Sequence, residues 1–207
     1  EMDEWGVDVM LAACQKGLMV PAGVSFVFFN EKAEAVRNAM PRVSRYWDWV
    51  PRGAPEQFWQ YFNGTAPTHH LFGLRAALDI IHDESIEKVW ARHAVLARAI
   101  WAACDAWGQV GSLKMNVAEA QNRSNAVTSL SLASPDGTRL REWVETNIGL
   151  TLGIGLGMGG EGERSSDGFF RFGHMGHVNG HMIMGLLGGV ETGLTALNIE
   201  HGTGALE

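Results

Sequence analysis

Two hydrophobic runs near the start of the chain predict two strands. Val7–Ala13 and Val24–Phe29 are mainly apolar and lack the regular polar alternation of a half-exposed strand. A strand that is covered on both faces needs no such alternation, so the first run predicts a buried strand of a parallel sheet. The run leads directly into Cys14-Gln15-Lys16-Gly17-Leu18, which places Lys16 at the end of that strand.

Hydrophobic residues at three- and four-residue spacing predict helices further along. Asn30 is a suitable N-cap, and Pro41 ends the helix that follows it. Residues 41–66 are irregular and rich in aromatic residues, so they either pack on the domain or wall a ligand site or dimer interface. Trp47 and Trp49 lie in this segment, and the sequence pattern predicts no specific function for either of them. The helices are predicted at Glu31–Met40, from Thr68 with Leu71, Leu74, Leu78 and Ile81 on one face, and from Ser85 to about Trp107.

The pattern changes to mixed helix and strand after Gly108. The last helix contains Gly185, Gly188, Gly189 and Gly193, each of which lowers helix propensity, and this predicts close packing against a neighbouring backbone. The predicted elements are a strand Ala126–Leu132, a turn Ser134-Pro135-Asp136-Gly137, a helix Thr138–Asn147, a strand Leu150–Gly155, a glycine-rich loop Gly153–Glu163, a strand Gly168–Gly173 and a helix from about Val178 to Asn198.

Composition and charge describe a globular protein. The chain has 207 residues, of which 46% are hydrophobic, and a formal net charge of −7. It is long enough for one large domain or two small ones. Its negative charge offers no basic surface to nucleic acid or to an anionic membrane. Cys14 and Cys104 lie in apolar segments, which predicts reduced thiols in a cytoplasmic protein.

Lys16 is the strongest candidate for chemistry. A lysine at a buried strand end is costly unless it has a partner or loses its charge, and no acidic residue is near it in the sequence. The same conditions produce a neutral, nucleophilic amine. The alternative interpretation is an ordinary lysine in a surface loop beside a strand.

The segment around Lys16 resembles the Schiff-base segment of the class V, fold type I aminotransferases. It consists of Asp3-Glu4-Trp5-Gly6-Val7-Asp8, Cys14-Gln15-Lys16-Gly17-Leu18-Met19 and Pro21-Ala22-Gly23. The similarity is greatest to the alanine–glyoxylate and serine–pyruvate (serine–glyoxylate) members. The resemblance implies that Lys16 binds pyridoxal 5'-phosphate covalently and that Gln15 lies by the cofactor phosphate. The family usually has Ser at the position of Cys14.

Two later motifs resemble the same family. Asn63-Gly64-Thr65-Ala66-Pro67-Thr68 is similar to a segment that reaches across the dimer, which implies that Thr65 binds the cofactor phosphate of the other subunit. A Tyr often stands three residues before this Thr, and here that position is Phe62. Phe170-Arg171-Phe172-Gly173-His174-Met175-Gly176 resembles the segment whose Arg holds the substrate α-carboxylate, a role that suits the planar fork of Arg171. From pattern alone, Thr65 is a turn residue and Arg171 a strand residue that faces solvent.

The resemblance also implies a fold, a function and partners. The fold is the C-terminal part of a large domain, with a mostly parallel sheet and helices, at residues 1–84, followed by a smaller α+β domain at residues 85–207. The chain is expected to lack about the first half of the enzyme, which holds the other cofactor contacts. The implied reaction moves an amino group from alanine or serine to glyoxylate or pyruvate in a homodimer. A pyridoxamine–pyruvate aminotransferase is the second candidate.

Three further interpretations concern other features of the sequence. Gly155-x-Gly157-x-x-Gly160 matches a dinucleotide fingerprint, but the residues after it, from Glu161 to Ser166, do not begin a helix, so this site is rejected. His174, His177 and His181 have a spacing that permits a metal site, although no acidic residue or cysteine accompanies them. No metal is predicted, and a metal-binding protein that uses these histidines stays an alternative. A further alternative is a non-catalytic remnant that serves as a binding module.

Overall fold

The computed structural model describes residues 1–162 and 165–206. The chain divides into two compact units, Glu1–Glu84 and Ser85–Glu207. We call them unit 1 and unit 2. The assignment of residues 1–84 to a large cofactor-binding domain and of residues 85–207 to a small domain remains a prediction.

Unit 1 contains a two-stranded antiparallel sheet. Strand β1 (Val9–Ala13) pairs with β2 (Ser25–Phe29), with Val9 opposite Phe29 and Ala13 opposite Ser25. The prediction of a buried parallel strand is therefore wrong for the described chain. The connection between the strands contains no helix, and a parallel pair needs a crossover of roughly a dozen or more residues, usually helical. Within unit 1 no second layer covers Leu11, which is 73% exposed.

The helices of unit 1 follow the sequence signals. Helix α1 (Glu31–Ala39) begins after Asn30, whose side-chain oxygen accepts a hydrogen bond from the backbone N–H of Ala33 at 3.0 Å. This confirms the predicted N-cap. A short helix α2 (Val50–Gly53) and a 3-10 turn (Phe58–Phe62) interrupt the aromatic-rich segment, and α3 (Thr68–Glu84) closes the unit.

Unit 2 is a four-stranded antiparallel sheet packed with helices. The strand order is β3-β4-β6-β5, and every neighbouring pair is antiparallel. Strand β5 pairs with β6 instead of leading into a helix, which agrees with the rejection of a dinucleotide site. Of the predicted glycine-rich loop, the first residues belong to β5 and Glu163 lies outside the described residues. The elements are α4 (Ile86–Trp107), β3 (Lys114–Met115), a 3-10 turn (Ala120–Asn122), β4 (Val127–Ser131), α5 (Asp136–Ile148), β5 (Gly153–Leu156), β6 (Ser165–Gly173) and α6 (Gly180–Ala196).

The core of unit 2 lies between this sheet and the helices. Phe170 and Phe172 of β6 are fully buried on one face of the sheet, against Leu130 of β4. Burial of each large apolar side chain contributes about 1.5–3 kcal/mol. Since side chains alternate along a strand, Arg171 lies on the opposite face of β6.

The glycines of α6 differ from the prediction. A Cβ on Gly193 would lie 2.8 Å from side-chain atoms of Leu140 and Val144, and one on Gly189 would lie 3.0 Å from Leu150. These two glycines therefore pack against side chains of α5 and of Leu150, which follows α5, and not against a neighbouring backbone. At Gly188 an added Cβ would meet no described atom within 4 Å.

Candidate active site

Lys16 lies on a tight turn that follows β1. The backbone N–H of Lys16 donates to the carbonyl of Ala13, and the carbonyl of Lys16 accepts from Met19 at 3.0 Å. Met19 has a positive φ of 61°, which a side-chain-bearing residue adopts rarely and which reverses the chain here. The Lys16 side chain is exposed. The expectation of a buried lysine is therefore wrong for the described chain, because unit 1 places nothing over this turn.

Cys14 closes the loop that carries Lys16. Its fully buried thiol donates to the carbonyl oxygen of Pro21 at 3.0 Å and its sulfur accepts from the backbone N–H of Val24 at 3.4 Å. The backbone of Cys14 adds two bonds, one to the carbonyl of Val24 at 3.1 Å and one from the N–H of Val20 at 3.0 Å. Residues 14–24 therefore form a closed loop with the cysteine at its base. We call this segment the lysine loop.

Helix α3 supports the far end of the lysine loop. Nε2 of His70 lies 3.1 Å from the carbonyl oxygen of Ala22, which makes this ring nitrogen the donor. A Cβ at Gly23 would lie 2.4 Å from the same nitrogen, and Gly23 has a φ of +151°. Only glycine allows the imidazole to approach this closely. The small buried cluster of Cys14, Val20 and Ala77 completes the support.

Gln15 and Thr65 are the other two residues of unit 1 that the sequence singles out. Gln15 is exposed, and its nearest recorded polar contact is a weak one, 4.0 Å from the Cys14 sulfur. Thr65 is exposed in the turn between the Phe58–Phe62 segment and α3, after Asn63 in the left-handed conformation. Within residues 1–162 and 165–206 its hydroxyl makes no recorded hydrogen bond. Both side chains are thus available to a ligand.

Arg171 is held on the open face of β6. Its Nε donates to the carbonyl oxygen of Ile154 at 2.7 Å, next to an irregularity in the pairing of β5 and β6. No carboxylate of the described residues pairs with its guanidinium. The terminal nitrogens, which make no recorded contact with the described part of the chain, can receive a carboxylate bidentately.

Below the sheet, His174 forms part of a buried chain of hydrogen bonds. Trp101 donates to the hydroxyl of Thr128 at 3.2 Å, and that hydroxyl lies 2.9 Å from Nε2 of His174. Nδ1 of His174 lies 3.0 Å from the carbonyl of Asn125, so Nδ1 carries the proton. Burial lowers the pKa of His174, and nearby His93 acts in the same direction. Since both ring nitrogens are engaged, His174 is not available to a metal in this arrangement.

The described residues give no further support to a metal site. His177 and His181 are exposed, and His181 lies on α6 while His174 follows β6. No group of three metal-ligating side chains occurs in the described ranges. Among the helices described, none has the length and hydropathy that a membrane crossing requires.

The donor set of unit 1 fits pyridoxal phosphate. A primary amine can bind the aldehyde carbon, while an amide N–H and a hydroxyl can donate to phosphate oxygens. Lys16, Gln15 and Thr65 provide these groups on exposed side chains, and backbone hydrogen bonds fix the turn at Lys16.

Sequence reasoning missed the residues that support the candidate site. The thiol of Cys14 was expected to be a reduced cysteine, not the group that closes the lysine loop, and His70 received no role. The one available signal was Gly23 in Pro21-Ala22-Gly23, since an isolated glycine after a strand indicates close approach of another group. That signal does not identify which side chain approaches.

Comparisons with known proteins place the chain in a family. The family model described as "Aminotransferase class-V" matches residues 1–157, which include Lys16 and Thr65 but not Arg171. The serine–glyoxylate aminotransferase of Arabidopsis thaliana is 36% identical over 193 residues, covering 92% of this chain and 45% of the plant protein. The chain thus spans about half the length of the curated relatives it matches.

Solved structures give the same result for the fold. The ureidoglycine–glyoxylate aminotransferase of Bacillus subtilis superposes with a TM-score of 0.81 at 24% identity, covering 100% of this chain and 52% of that one. The pyridoxamine–pyruvate aminotransferase of Mesorhizobium loti gives 0.80 at 25% identity, covering 97% and 50%. These neighbours are fold type I aminotransferases with mixed α/β content. The family implies a pyridoxal phosphate cofactor. The chain belongs to the class-V aminotransferase family.

Proposed function

We propose that this chain forms part of an aminotransferase that uses pyridoxal phosphate to transfer an amino group from serine or alanine to glyoxylate or pyruvate. The observation that carries the proposal is the lysine loop, which presents an exposed amine on a backbone fixed by Cys14. The family match over residues 1–157 and the similarity to a serine–glyoxylate aminotransferase support serine and glyoxylate as the first pair to test.

Lys16 is the proposed catalytic residue. Its Nζ would hold the cofactor covalently. As a free amine, the same Nζ would take the proton from the substrate α-carbon as a base and return a proton as an acid. When bound, pyridoxal phosphate supplies the electron sink that stabilises the carbanion. The turn geometry matters because proton transfer requires the amine within hydrogen-bond reach of the α-carbon.

Arg171 is the proposed substrate-binding residue, and Gln15 and Thr65 are the proposed cofactor-binding residues. The free terminal nitrogens of Arg171 suit the substrate carboxylate, since both are planar and can form two parallel charge-assisted bonds. Gln15 would hold the edge of the cofactor phosphate. Thr65 would donate to the phosphate in the partner subunit, and this role requires a homodimer. In this proposal residues 1–84 end the large domain and residues 85–207 form the small one.

A labelled-nitrogen assay tests the reaction. The complete protein that contains this chain is incubated with pyridoxal phosphate, ¹⁵N-serine and glyoxylate, and the expected product is ¹⁵N-glycine. Lys16→Arg is the inactive control. The second candidate, a pyridoxamine–pyruvate aminotransferase, is favoured by the similarity to the Mesorhizobium loti structure. It predicts transfer from ¹⁵N-pyridoxamine to pyruvate, giving ¹⁵N-alanine. A non-catalytic module predicts neither product, and that result would overturn the proposal.

A further inference from the structure

Two glycines leave one face of β5 without side chains beside Arg171. In the antiparallel pairing Gly153 lies directly opposite Arg171, so the two residues share a face of the sheet. Gly155 follows two positions later on the same face, and a Cβ there would lie 2.4 Å from Cβ of Phe169. Side chains of β6 therefore occupy space that side chains of β5 would otherwise fill.

The Arg171 side chain extends over Gly153. A Cβ at Gly153 would lie 3.3 Å from Cβ of Arg171 and 3.5 Å from its Nε. The same Nε donates to the carbonyl of Ile154, the next residue of β5. The arginine thus lies across the glycine and is fixed at Nε, while its terminal nitrogens remain free of contacts with the described residues.

Ser129, which pairs with Arg171 from strand β4, does not bind the Arg171 guanidinium. Ser129 of β4 pairs with Arg171 in the register, and its hydroxyl donates to the sulfur of Met158 at 3.6 Å. No polar group of β4 is recorded in contact with Arg171. Among the described residues, β5 therefore guides this side chain, through the space left at Gly153 and the carbonyl of Ile154.

We propose that Gly153 is a positioning residue that sets the direction of the Arg171 guanidinium for carboxylate recognition. This inference rests on the proposed function, which gives Arg171 the substrate carboxylate. An alanine at position 153 would place its Cβ 3.3 Å from Cβ of Arg171, which is tighter than an ordinary contact, so the arginine stem would have to shift by a few tenths of an ångström. The guanidinium would then leave the orientation in which both terminal nitrogens face the ligand, and one of two hydrogen bonds to a carboxylate would be lost.

Nuclear magnetic resonance tests the geometry without any activity. In the unmodified chain the Nε–H proton of Arg171 is expected to show a nuclear Overhauser effect to an Hα proton of Gly153. Its Nε–H signal, assigned by its disappearance in Arg171→Lys, should shift in Gly153→Ala and remain in place in Gly188→Ala. The second variant is a matched control, because the added Cβ meets no described atom within 4 Å. Absence of the Overhauser effect, or an unmoved signal in folded Gly153→Ala, would overturn the proposal.

Titration with propionate tests the consequence. Propionate carries a carboxylate and no carbonyl that could react with Lys16. Its dissociation constant is expected to rise about tenfold in Gly153→Ala, which corresponds to one lost hydrogen bond, and to stay unchanged in Gly188→Ala. If Arg171→Lys weakens binding but Gly153→Ala does not, the positioning role is wrong and the role of Arg171 stands. If Arg171→Lys has no effect, the carboxylate role of Arg171 in the proposed function is wrong.

Discussion

Lys16 and Arg171 are held by two different kinds of support. Lys16 stands on a loop fixed by a few hydrogen bonds, chiefly from Cys14 and His70, over a small buried cluster. Arg171 stands on an inner strand of a sheet whose other face covers the large core of unit 2. The first arrangement depends on individual polar contacts, and the second depends on the packing of many apolar side chains.

The buried residues of the units show the same difference. Both units expose some large apolar side chains, but the buried apolar residues described in unit 1 are small, namely Cys14, Val20, Ala33 and Ala77, whereas unit 2 buries tryptophan, phenylalanine and leucine side chains completely. Unit 1 therefore gains less from burial of apolar surface, and its order relies more on local bonds. Its most exposed large apolar residues are Trp5, Leu11, Tyr46, Trp47, Val36, Phe58 and Phe72.

Removal of the amine should have the largest effect. Lys16→Arg keeps a positive charge but removes both the covalent attachment of the cofactor and the proton carrier, so transfer should fall by about 10³-fold or more. The ¹⁵N-serine assay measures this. Lys32→Arg is the control, since Lys32 pairs with Asp8 on the surface. Comparable activity of Lys16→Arg and the control would contradict the role of Lys16.

Truncation of a leucine in each unit tests the difference in core size. Leu130→Ala in β4 should lower the free energy of unfolding by about 2–5 kcal/mol, because it leaves a cavity beside Phe170. Leu11→Ala in β1 should change it by less than about 0.5 kcal/mol, because the side chain is largely exposed. Urea unfolding, monitored by hydrogen exchange of amides in each unit, measures the free energy of unfolding of both variants. Equal losses in the two variants would contradict the difference in core size between the units.

Substitution of Cys14 tests the support of Lys16. Cys14→Ala leaves the half-buried N–H of Val24 without its sulfur acceptor and should cost about 0.5–1.5 kcal/mol of local stability. Cys14→Ser keeps a donor and an acceptor at the same place. Hydrogen exchange across residues 14–24 should therefore accelerate in the alanine variant and much less in the serine variant. An exchange rate in Cys14→Ala equal to that of the unmodified chain would mean that the thiol makes no contribution to the loop.

Because His174 is buried, the stability of unit 2 is expected to depend on pH. Burial holds the pKa of His174 below its ordinary value of about 6.5, so the unfolded chain binds a proton that the folded chain does not. Stability is then complete above about pH 6.5 and decreases as the pH falls toward the lowered pKa, by at most about 1.4 kcal/mol per pH unit. Hydrogen exchange of β4 amides between pH 7.5 and 5 measures the slope. His174→Gln should reduce the slope of stability against pH. An unchanged slope would contradict the assignment of this pH dependence to His174.

Much of the local structure could be predicted because its causes lie within a few residues. Asn30 and Pro41 determine where α1 begins and ends, and the apolar runs locate β1 and β2. The direction of β1 was wrong because an apolar run indicates burial without showing which partner provides it. Here β1 pairs with an exposed antiparallel neighbour.

The chemical groups of the site could be named from the sequence, but their supports could not. Motif resemblance singled out Lys16, Gln15, Thr65 and Arg171, and their roles stay predictions. His70 reaches the lysine loop from α3, forty-eight positions beyond Ala22. Gly153 meets Arg171 through strand pairing. Contacts of this kind depend on the tertiary structure, and no local pattern reports them.

Borohydride trapping tests the central claim most directly. The chain contains four lysines, Lys16, Lys32, Lys88 and Lys114, so peptide mapping after incubation with pyridoxal phosphate and reduction can resolve each one. The account predicts a single phosphopyridoxyl label on Lys16, complete at stoichiometric cofactor and absent in Lys16→Arg. Equal labelling of all four lysines, or a label on another lysine with Lys16 unmodified, would contradict it.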